Sequence, residues 1–346
     1  MTTFAVVHPH RHRVVLAHGG GGQLTDDLIR DAILPRLANS SLEPLGDASE
    51  VRLGNERVLF TTDSYVVQPL VFPGGDIGRL AVCGTVNDLA VSGARPQFLS
   101  LGLIIEEGLE MATLERILQS IADTAAEAGV QVVTGDTKVV GKGQGDGLYI
   151  NTAGIGVRRP GAELSMGRIR PGDVLLVSGH LAEHGLAVML QREHTDMLRS
   201  GLASDTAPLN GLIERLLDAV GEQAVFLRDP TRGGFAGVAA DLAERSGWRL
   251  TIDETAIPIR PETQYAAEIL GLDPLSVANE GKVMAVVRPE AMGAALDALR
   301  SHPLGVHAAA VGRFEAIEDG LCEIVTDVGG RRIIQKPYGE ELPRIC

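Results

Sequence analysis

Short apolar runs alternate with longer stretches of helical spacing along most of this chain. Residues 57–62, 97–105 and 131–134 have the composition of strands, whereas residues 111–129 repeat apolar positions with the 3.6-residue period of a helix. The alternation predicts an α/β fold. With 45% hydrophobic residues in a chain of 346, a substantial buried core is expected.

The same alternation resumes after a cluster of turn residues near position 160. Strands are predicted at residues 174–178, 283–287 and 307–311, and helices at residues 207–220 and 234–246. We therefore expect two domains, with a boundary near residue 160. The expected division is a flexible extension (1–15), an N-terminal domain (16–160), a C-terminal α/β domain (161–325) and a mobile tail (326–346).

The charge balance and the absence of long apolar stretches exclude several classes of protein. Lysine and arginine number 31 against 45 acidic residues, a net charge of −14, and no long basic stripe is present. Nucleic acid and membrane are therefore not expected as partners. The first thirteen residues are rich in histidine and arginine and lack the apolar region of a secretory signal.

Three cysteines are too few for a disulfide framework in a chain of this length. Cys83, Cys322 and Cys346 form neither a CxxC pair nor a zinc-binding spacing, which fits reduced thiols in the cytoplasm.

Cys346 is the last residue and follows a polar, turn-prone run. Pro337, Gly339 and Pro343 oppose a helix there, so the segment is predicted to be an arm that carries a sulfur nucleophile at its tip. The alternative is an incidental cysteine at a disordered chain end.

Three aspartates occupy settings typical of α/β sites. Asp63 and Asp136 each follow a predicted strand. Asp88 lies in a predicted helix that is flanked by glycine. Converging carboxylates suit Mg²⁺, which prefers oxygen ligands and bridges to phosphate oxygens. For each aspartate taken alone, capping or turn formation remains the alternative.

Two further segments have backbone amides suited to an anion. One is a run of four glycines: Gly19, Gly20, Gly21 and Gly22. The alternative interpretation of this run is a plain linker. The other is residues 228–234, where Asp229 and Thr231 precede a helix and could equally be capping residues. Residues 279–282 form a polar turn that is similarly ambiguous.

Taken together, five segments in order resemble one family. They are residues 76–90, 134–138, 228–234 and 279–282, and the terminal Pro-Arg-Ile-Cys. The series is similar to the HypE family of hydrogenase maturation proteins, in the aminoimidazole ribonucleotide synthetase-like ATP-binding superfamily.

The resemblance implies a two-domain α/β (α+β) fold in which N-terminal domains pair their sheets across a homodimer. It implies that ATP and Mg²⁺ bind to Asp63, Asp88 and Asp136. The other residues it assigns to the nucleotide are Gly19, Gly20, Gly21, Gly22, Thr85, Asn87, Asp229 and Thr231.

The reaction that the resemblance implies is ATP-dependent dehydration of a carbamoyl group on Cys346 to a thiocyanate, which supplies cyanide to nickel–iron hydrogenase. Glu280 is the candidate base and Lys138 its positioning or charge-balancing partner. HypF would supply the carbamoyl group, and a HypC–HypD complex would accept the cyanide. The alternatives are a superfamily enzyme acting on a free small molecule, such as a selenophosphate synthetase or thiamine-phosphate kinase, and a non-catalytic nucleotide-regulated scaffold.

Overall fold

The computed structural model describes residues 14–37, 39–192, 201–338 and 344–346, so the expected extension lies almost entirely outside the described residues. The chain forms two large sheets, one from each half, and a small hairpin. Helices pack against these sheets, which confirms the predicted α/β class. Among the described residues, no helix is both long and apolar enough to cross a bilayer.

The described residues of the first half form four α-helices and seven strands. In chain order they are α1 (Gln23–Leu28), α2 (Leu34–Leu37), β1 (Ser49–Leu53), β2 (Glu56–Tyr65), β3 (Val71–Phe72), β4 (Gly75–Asp76), α3 (Ile77–Val91), β5 (Ala94–Glu106), α4 (Met111–Ala128), β6 (Gln131–Val140) and β7 (Leu148–Arg158).

The first sheet has the order β1-β2-β7-β5-β6, and only the β5–β6 pair is parallel. Its inner face packs on α3, where Leu80 and Val86 join Leu99 and Ile150 of the strands in one buried cluster. This sheet places β2 in its interior and leaves β6 as an edge strand.

Helix α3 is buried along nearly its whole length because it lies between the sheet and α4. Its start is capped by Asp76, whose carboxylate accepts hydrogen bonds from the amides of Gly78 and Arg79. Two of its glycines permit close approach, since a Cβ at Gly78 would lie 2.6 Å from the Ile117 carbonyl oxygen and one at Gly84 2.2 Å from the Tyr65 hydroxyl.

In the second half, the part of the chain that the structure describes forms five α-helices and seven strands. They are β8 (Val174–Val177), α5 (Glu183–Arg192), α6 (Asn210–Val220), β9 (Ala224–Arg228), α7 (Gly234–Ser246), β10 (Arg249–Asp253), α8 (Pro261–Leu270), β11 (Met284–Val287), α9 (Met292–Arg300), β12 (Ala309–Glu315), β13 (Cys322–Val325) and β14 (Arg331–Ile334).

The second sheet has the order β14-β13-β10-β12-β8-β11-β9. Strands β8 and β11 lie in its interior and are apolar and buried throughout, as the runs at 174–178 and 283–287 predicted. The two halves share buried contacts, because Leu186 of α5 and Val277 belong to the same apolar cluster as α3.

The tail begins later than the sequence indicated. We expected it from residue 326, but β14 pairs with β13 and keeps the chain in the sheet to Ile334. Beyond the sheet, the carbonyls of Pro337 and Tyr338 accept hydrogen bonds from the first amides of α1. The last three residues also pack on the protein, with Ile345 buried.

Candidate active site

A cavity of about 420 Å³ lies between the two halves, where β2 and β9 end. Charged and other polar side chains make up most of its lining, and both halves contribute them. Its carboxylates belong to Asp47, Asp63, Asp88, Asp229, Asp241 and Glu280, its cations to Arg228, Arg232 and Lys336, and its thiol to Cys346.

Four carboxylates come close enough to disturb one another's ionisation. Burial raises the pKa of Asp88 well above its usual value, and the charges of Asp63, Asp229 and Asp47 raise it further. Burial, followed by the charge of Asp47, raises the pKa of Asp229 to about 8. Burial and the neighbouring acidic groups therefore both disfavour the ionised forms of these carboxyl groups.

Hydrogen bonds from the sheet hold two of these carboxylates. The Thr61 hydroxyl donates to Asp88 Oδ2 at 2.9 Å, and the Tyr65 hydroxyl donates to Asp63 Oδ2 at 3.2 Å. Because side chains two residues apart lie on the same face of a strand, β2 supplies Asp63 and both of these hydroxyl groups on one face.

Two arginines balance part of this charge. Arg228 lies 3.2 Å from Asp47 and 2.8 Å from Asp241, and so joins the segment before β1 to α7. Arg232 donates to the Gly19 carbonyl at 2.7 Å. The charge of Cys346, followed by those of Asp63 and Glu280, raises the pKa of Arg232, which places this cation among the groups of the cavity.

Glu280 is fully buried at the end of the cavity. Burial, together with the charges of Asp229 and Asp205, raises its pKa well above the usual value. Its Oε1 has no hydrogen-bond partner among the described residues. A carboxyl oxygen that faces a polar cavity without a partner is available to a substrate proton.

Asp205 fixes the conformation of the turn that contains Glu280. The carboxylate of Asp205 accepts hydrogen bonds from the amides of Glu280 at 3.1 Å and Gly281 at 3.2 Å. It also pairs with Lys282 at 2.9 Å, and Lys282 reaches Glu183 at 3.4 Å. Since Asp205 is buried, these contacts leave the turn little freedom.

The structure brings several of the predicted residues together. Asp63, Asp88, Asp229, Thr231, Glu280 and Cys346 all line the cavity. Of the four glycines, Gly21 lines it, and its amide donates to the Thr25 hydroxyl at 2.9 Å. Gly20 donates to the Ala17 carbonyl, and Gly19, Gly20 and Gly22 are not among the lining residues, so two of the four glycine amides are already bonded within the chain.

Thr85 and Asn87 are not among the residues that line the cavity. Both side chains are fully buried. Thr85 shares a hydrogen bond with the Thr152 hydroxyl at 2.5 Å, whereas Asn87 binds the main chain of Ala207, Leu209 and Glu280. These hydrogen bonds join them to other parts of the protein, and their assignment to the nucleotide stays a prediction.

Asp136 and Lys138 lie away from the cavity of their own chain. They form an ion pair with each other, Nζ to Oδ2 at 2.6 Å, and both side chains are exposed. Asp136 is opposite Gly102 of β5, Gly102 is opposite Asn151 of β7, and Asn151 is opposite Ser64 of β2. Three strand spacings, about 14 Å, therefore separate Asp136 from Ser64 at the cavity.

Some charged residues that line the cavity were not predicted from the sequence. Most of them are partners of residues that were predicted. Arg228 and Arg232 lie next to Asp229 and Thr231 in segment 228–234. Their positive charges were the feature of the sequence that could have identified them as site residues. Asp47 follows Gly46 in a turn and carried no such signal. Asp241 lies in the middle of α7, where a carboxylate normally faces solvent.

The carboxylates of the cavity suit a metal ion that takes its remaining ligands from water and phosphate. In the part of the chain that the structure describes, no group of three or more His, Cys, Asp or Glu side chains is arranged to hold a metal ion alone. Mg²⁺ commonly takes one or two carboxylates and completes its shell with waters and phosphate oxygens. The carboxylates of Asp63 and Asp88 suit that arrangement.

Two family models match the chain. The model for the N-terminal domain of AIR synthase related proteins matches residues 45–158, and that for the C-terminal domain matches residues 170–320. The fold and the acidic cavity between the halves therefore belong to the AIR synthase related class.

Individual relatives are more specific. A carbamoyl dehydratase HypE from Rhodobacter capsulatus is 48% identical over 96% of this chain and 98% of its own length. A solved HypE–HypF complex has a TM-score of 0.84 at 44% identity, covering 90% of this chain and 99% of that one. A HypE structure in complex with ATP has a TM-score of 0.80 at 43% identity and covers 96% and 100%. The chain belongs to the HypE family.

Proposed function

We propose that this protein catalyses the ATP-dependent dehydration of a carbamoyl group carried on the sulfur of Cys346. The product is a thiocyanate, from which cyanide passes to the iron of nickel–iron hydrogenase. The observation that carries the proposal is the position of Cys346, which lines the same cavity as Glu280 and the carboxylates of Asp63 and Asp88.

The chemistry requires the carbamoyl oxygen to become a leaving group. Transfer of the γ-phosphoryl group of ATP to that oxygen forms the C–O–P linkage and releases ADP. Loss of the nitrogen's two protons and breakage of the C–O bond then give S–C≡N and inorganic phosphate. The sum is the removal of one water, with its oxygen delivered to phosphate.

Glu280 is the proposed base for the nitrogen protons. It lies in the cavity with Cys346, its Oε1 has no partner among the described residues, and its raised pKa makes it a better proton acceptor than an ordinary carboxylate once ionised. Arg232 lies among the same groups, and we propose that its guanidinium binds developing negative charge on the phosphoryl group.

Asp63 and Asp88 are the residues that would hold Mg²⁺, with phosphate oxygens and water as its other ligands. When bound, the ion neutralises charge on the transferred phosphoryl group. Asp47 and Asp229 lie beside them, and the pairing of Asp47 with Arg228 limits the total charge that this cation must balance.

A homodimer is proposed from the exposed edge of the first sheet. Residues 131–139 of β6 are all exposed and include Val132, Val133 and Val139. An exposed edge strand is a pairing site unless it is covered. Since Asp136 and Lys138 lie on this edge and far from the cavity of their own chain, they act in the reaction only if the edge of one copy faces the cavity of another.

HypF is proposed as the carbamoyl donor, supported by the family's HypE–HypF complex, and a HypC–HypD complex as the cyanide acceptor. We place the protein in the cytoplasm, since Cys83, Cys322 and Cys346 take part in no disulfide among the described residues. The proposed division into domains at residue 160 lies in the connection between β7 and β8.

The test is mass spectrometry of the C-terminal peptide after the protein is carbamoylated with cyanate and then given Mg-ATP. We expect the Cys346 adduct to lose one water only when ATP is present. Lysine adducts formed by the same reagent are the internal control and keep their mass. Cys346→Ala removes the reacting adduct.

Two other outcomes would overturn the proposal in different ways. An adduct that persists while ATP is hydrolysed would favour an enzyme that acts on a free small molecule. An adduct that persists with ATP bound and intact would favour a nucleotide-regulated scaffold. The presence of the terminal thiol inside the cavity supports the carrier function over both.

A further inference from the structure

The last three residues occupy a defined binding groove beside the cavity. The amide of Val66 donates to the Cys346 carbonyl at 3.3 Å, and the amide of Gln68 donates to the Arg344 carbonyl at 3.1 Å. Between them, the side chain of Ile345 is 4% exposed and packs into the core of the first half. Arg344 has a left-handed φ of 59°, a conformation that a residue with a side chain keeps only where contacts hold it.

The carbonyl of Ile345 faces away from these amides and meets His184. The distance from His184 Nε2 to that oxygen is 2.6 Å, and the imidazole is fully buried. A carbonyl oxygen can only accept, so Nε2 carries the proton. Burial lowers the pKa of His184, which fits a neutral ring. Its Nδ1 must then be an acceptor.

Ser204 supplies the donor that Nδ1 needs. Its hydroxyl lies 2.8 Å from Nδ1, and because its one proton is used there, the Thr206 hydroxyl at 2.6 Å must donate to Ser204. The amide of Thr206 also donates to Ser204 Oγ at 3.1 Å. The chain of hydroxyls therefore fixes the tautomer of His184 in the form that binds the tail.

The same short segment holds the candidate base. Asp205, between Ser204 and Thr206, accepts hydrogen bonds from the amides of Glu280 and Gly281. Residues 204–206 thus support His184 through two hydroxyls and the Glu280 turn through one carboxylate. Residues 204–206 therefore hold both the main chain next to Cys346, through His184, and the main chain of Glu280, through Asp205.

We propose that His184 is a positioning residue for the carrier cysteine: with Ser204 fixing its tautomer, it binds the Ile345 carbonyl and holds the Cys346 sulfur within reach of Glu280. Ile345 is the apolar anchor of the same contact. The docking of the tail stands on these contacts alone, whereas its effect on the reaction rests on the proposed dehydratase function.

The test of docking measures the rate at which iodoacetamide alkylates Cys346 in the full chain without ATP. His184→Leu removes the donor, and we expect alkylation to be about five- to tenfold faster, the change that loss of one buried hydrogen bond produces. His184→Gln is the matched control, because its side-chain amide can reach the Ile345 carbonyl and should keep the rate near that of the parent.

Two internal thiols report whether each variant is folded. Cys83 and Cys322 are buried, so they stay unmodified unless the protein opens. If His184→Leu exposes them, Ile345→Ser replaces it, since that change affects only the tail anchor and the groove that receives it. Hydrogen exchange at the amides of Val66 and Gln68 should rise in step with the alkylation rate.

An unchanged alkylation rate in His184→Leu and Ile345→Ser, with Cys83 and Cys322 protected, would overturn the proposal. So would a Gln variant as fast as the Leu variant. For catalysis, we expect the water-loss step to slow by a similar factor in His184→Leu with the KM for ATP unchanged. If the parent protein shows docking but no water loss, the dehydratase function fails and the docking site remains.

Discussion

The side-chain amide of Asn87, on α3, donates a hydrogen bond to the main-chain carbonyl of Glu280 at 3.4 Å. It donates also to the Ala207 carbonyl at 3.1 Å and accepts from the amide of Leu209 at 2.7 Å. One buried side chain in the first half therefore fixes two segments of the second half, and one of these carries the candidate base.

Asn87→Leu should destabilise the protein rather than weaken nucleotide contacts. The change leaves buried main-chain groups without partners, so we expect the free energy of unfolding to fall by about 2–4 kcal/mol. Urea unfolding measures the loss. ATP affinity of the fraction that remains folded should be unchanged, and a selective loss of ATP affinity at normal stability would contradict the structural role.

Gly281→Ala should displace the Glu280 turn. An added Cβ would lie 1.8 Å from the Asp205 carbonyl oxygen, so the backbone must move. We expect the water-loss step to be abolished, together with a loss of stability above about 2 kcal/mol. The matched control is Gly293→Ala in α9, where nothing lies within 4 Å and stability should hold or rise.

Glu280→Gln separates catalysis from stability. A neutral amide of the same shape cannot accept the nitrogen proton, and we expect the rate of water loss to fall by about 10²- to 10⁴-fold. Because burial disfavours the ionised carboxylate, thermal stability should not fall. Single-turnover mass spectrometry gives the rate, and a rate near that of the parent would remove Glu280 from the role of base.

Val139→Asp should disrupt the proposed homodimer. Val139 lies on the exposed edge strand β6, and a charge there opposes pairing with another strand. Analytical ultracentrifugation should show a shift from dimer to monomer. Val328→Asp, at an exposed turn between β13 and β14, is the control that should leave the association unchanged; an unchanged Val139→Asp would place the interface elsewhere.

His180 makes the protein less stable in mild acid. Burial, followed by the charges of His307, Arg260 and Lys282, lowers the pKa of His180 to about 4 from the ordinary value of 6.5. The unfolded chain therefore binds the proton first, and stability is lost as pH falls from about 6.5 towards 4. The Nδ1 of His180 accepts from Arg260 at 3.2 Å, a bond that protonation breaks.

Urea unfolding at pH 7 and pH 5 checks this expectation. His180→Gln keeps an acceptor for Arg260 and cannot take up the proton, so its loss of stability over this interval should be smaller than that of the parent. An equal loss in the two proteins would assign the pH dependence to other groups.

The elements were largely predictable because each depends on local patterning. Strands β8 and β11 are continuous apolar runs, and α4 ends at Ala128 because Gly129 adopts the left-handed conformation that follows a helix. The end of the second sheet was not predictable in this way. Strand β14 contains Arg331 and Arg332, and this polar segment was predicted to be part of the tail. It instead pairs with β13 and forms the edge strand of the second sheet.

The sequence by itself determined the family and the alternation of elements, and it singled out the candidate reactive groups, because Cys346, Glu280 and the Asp63 and Asp88 motifs are local and specific in type. Only the tertiary structure decided which of them meet. It placed Asp136 three strand spacings from β2, the strand of Asp63, made Asn87 a structural link, and placed Ile345 against His184. Contacts of this kind join residues far apart in the chain, and no local pattern of polarity encodes their distances.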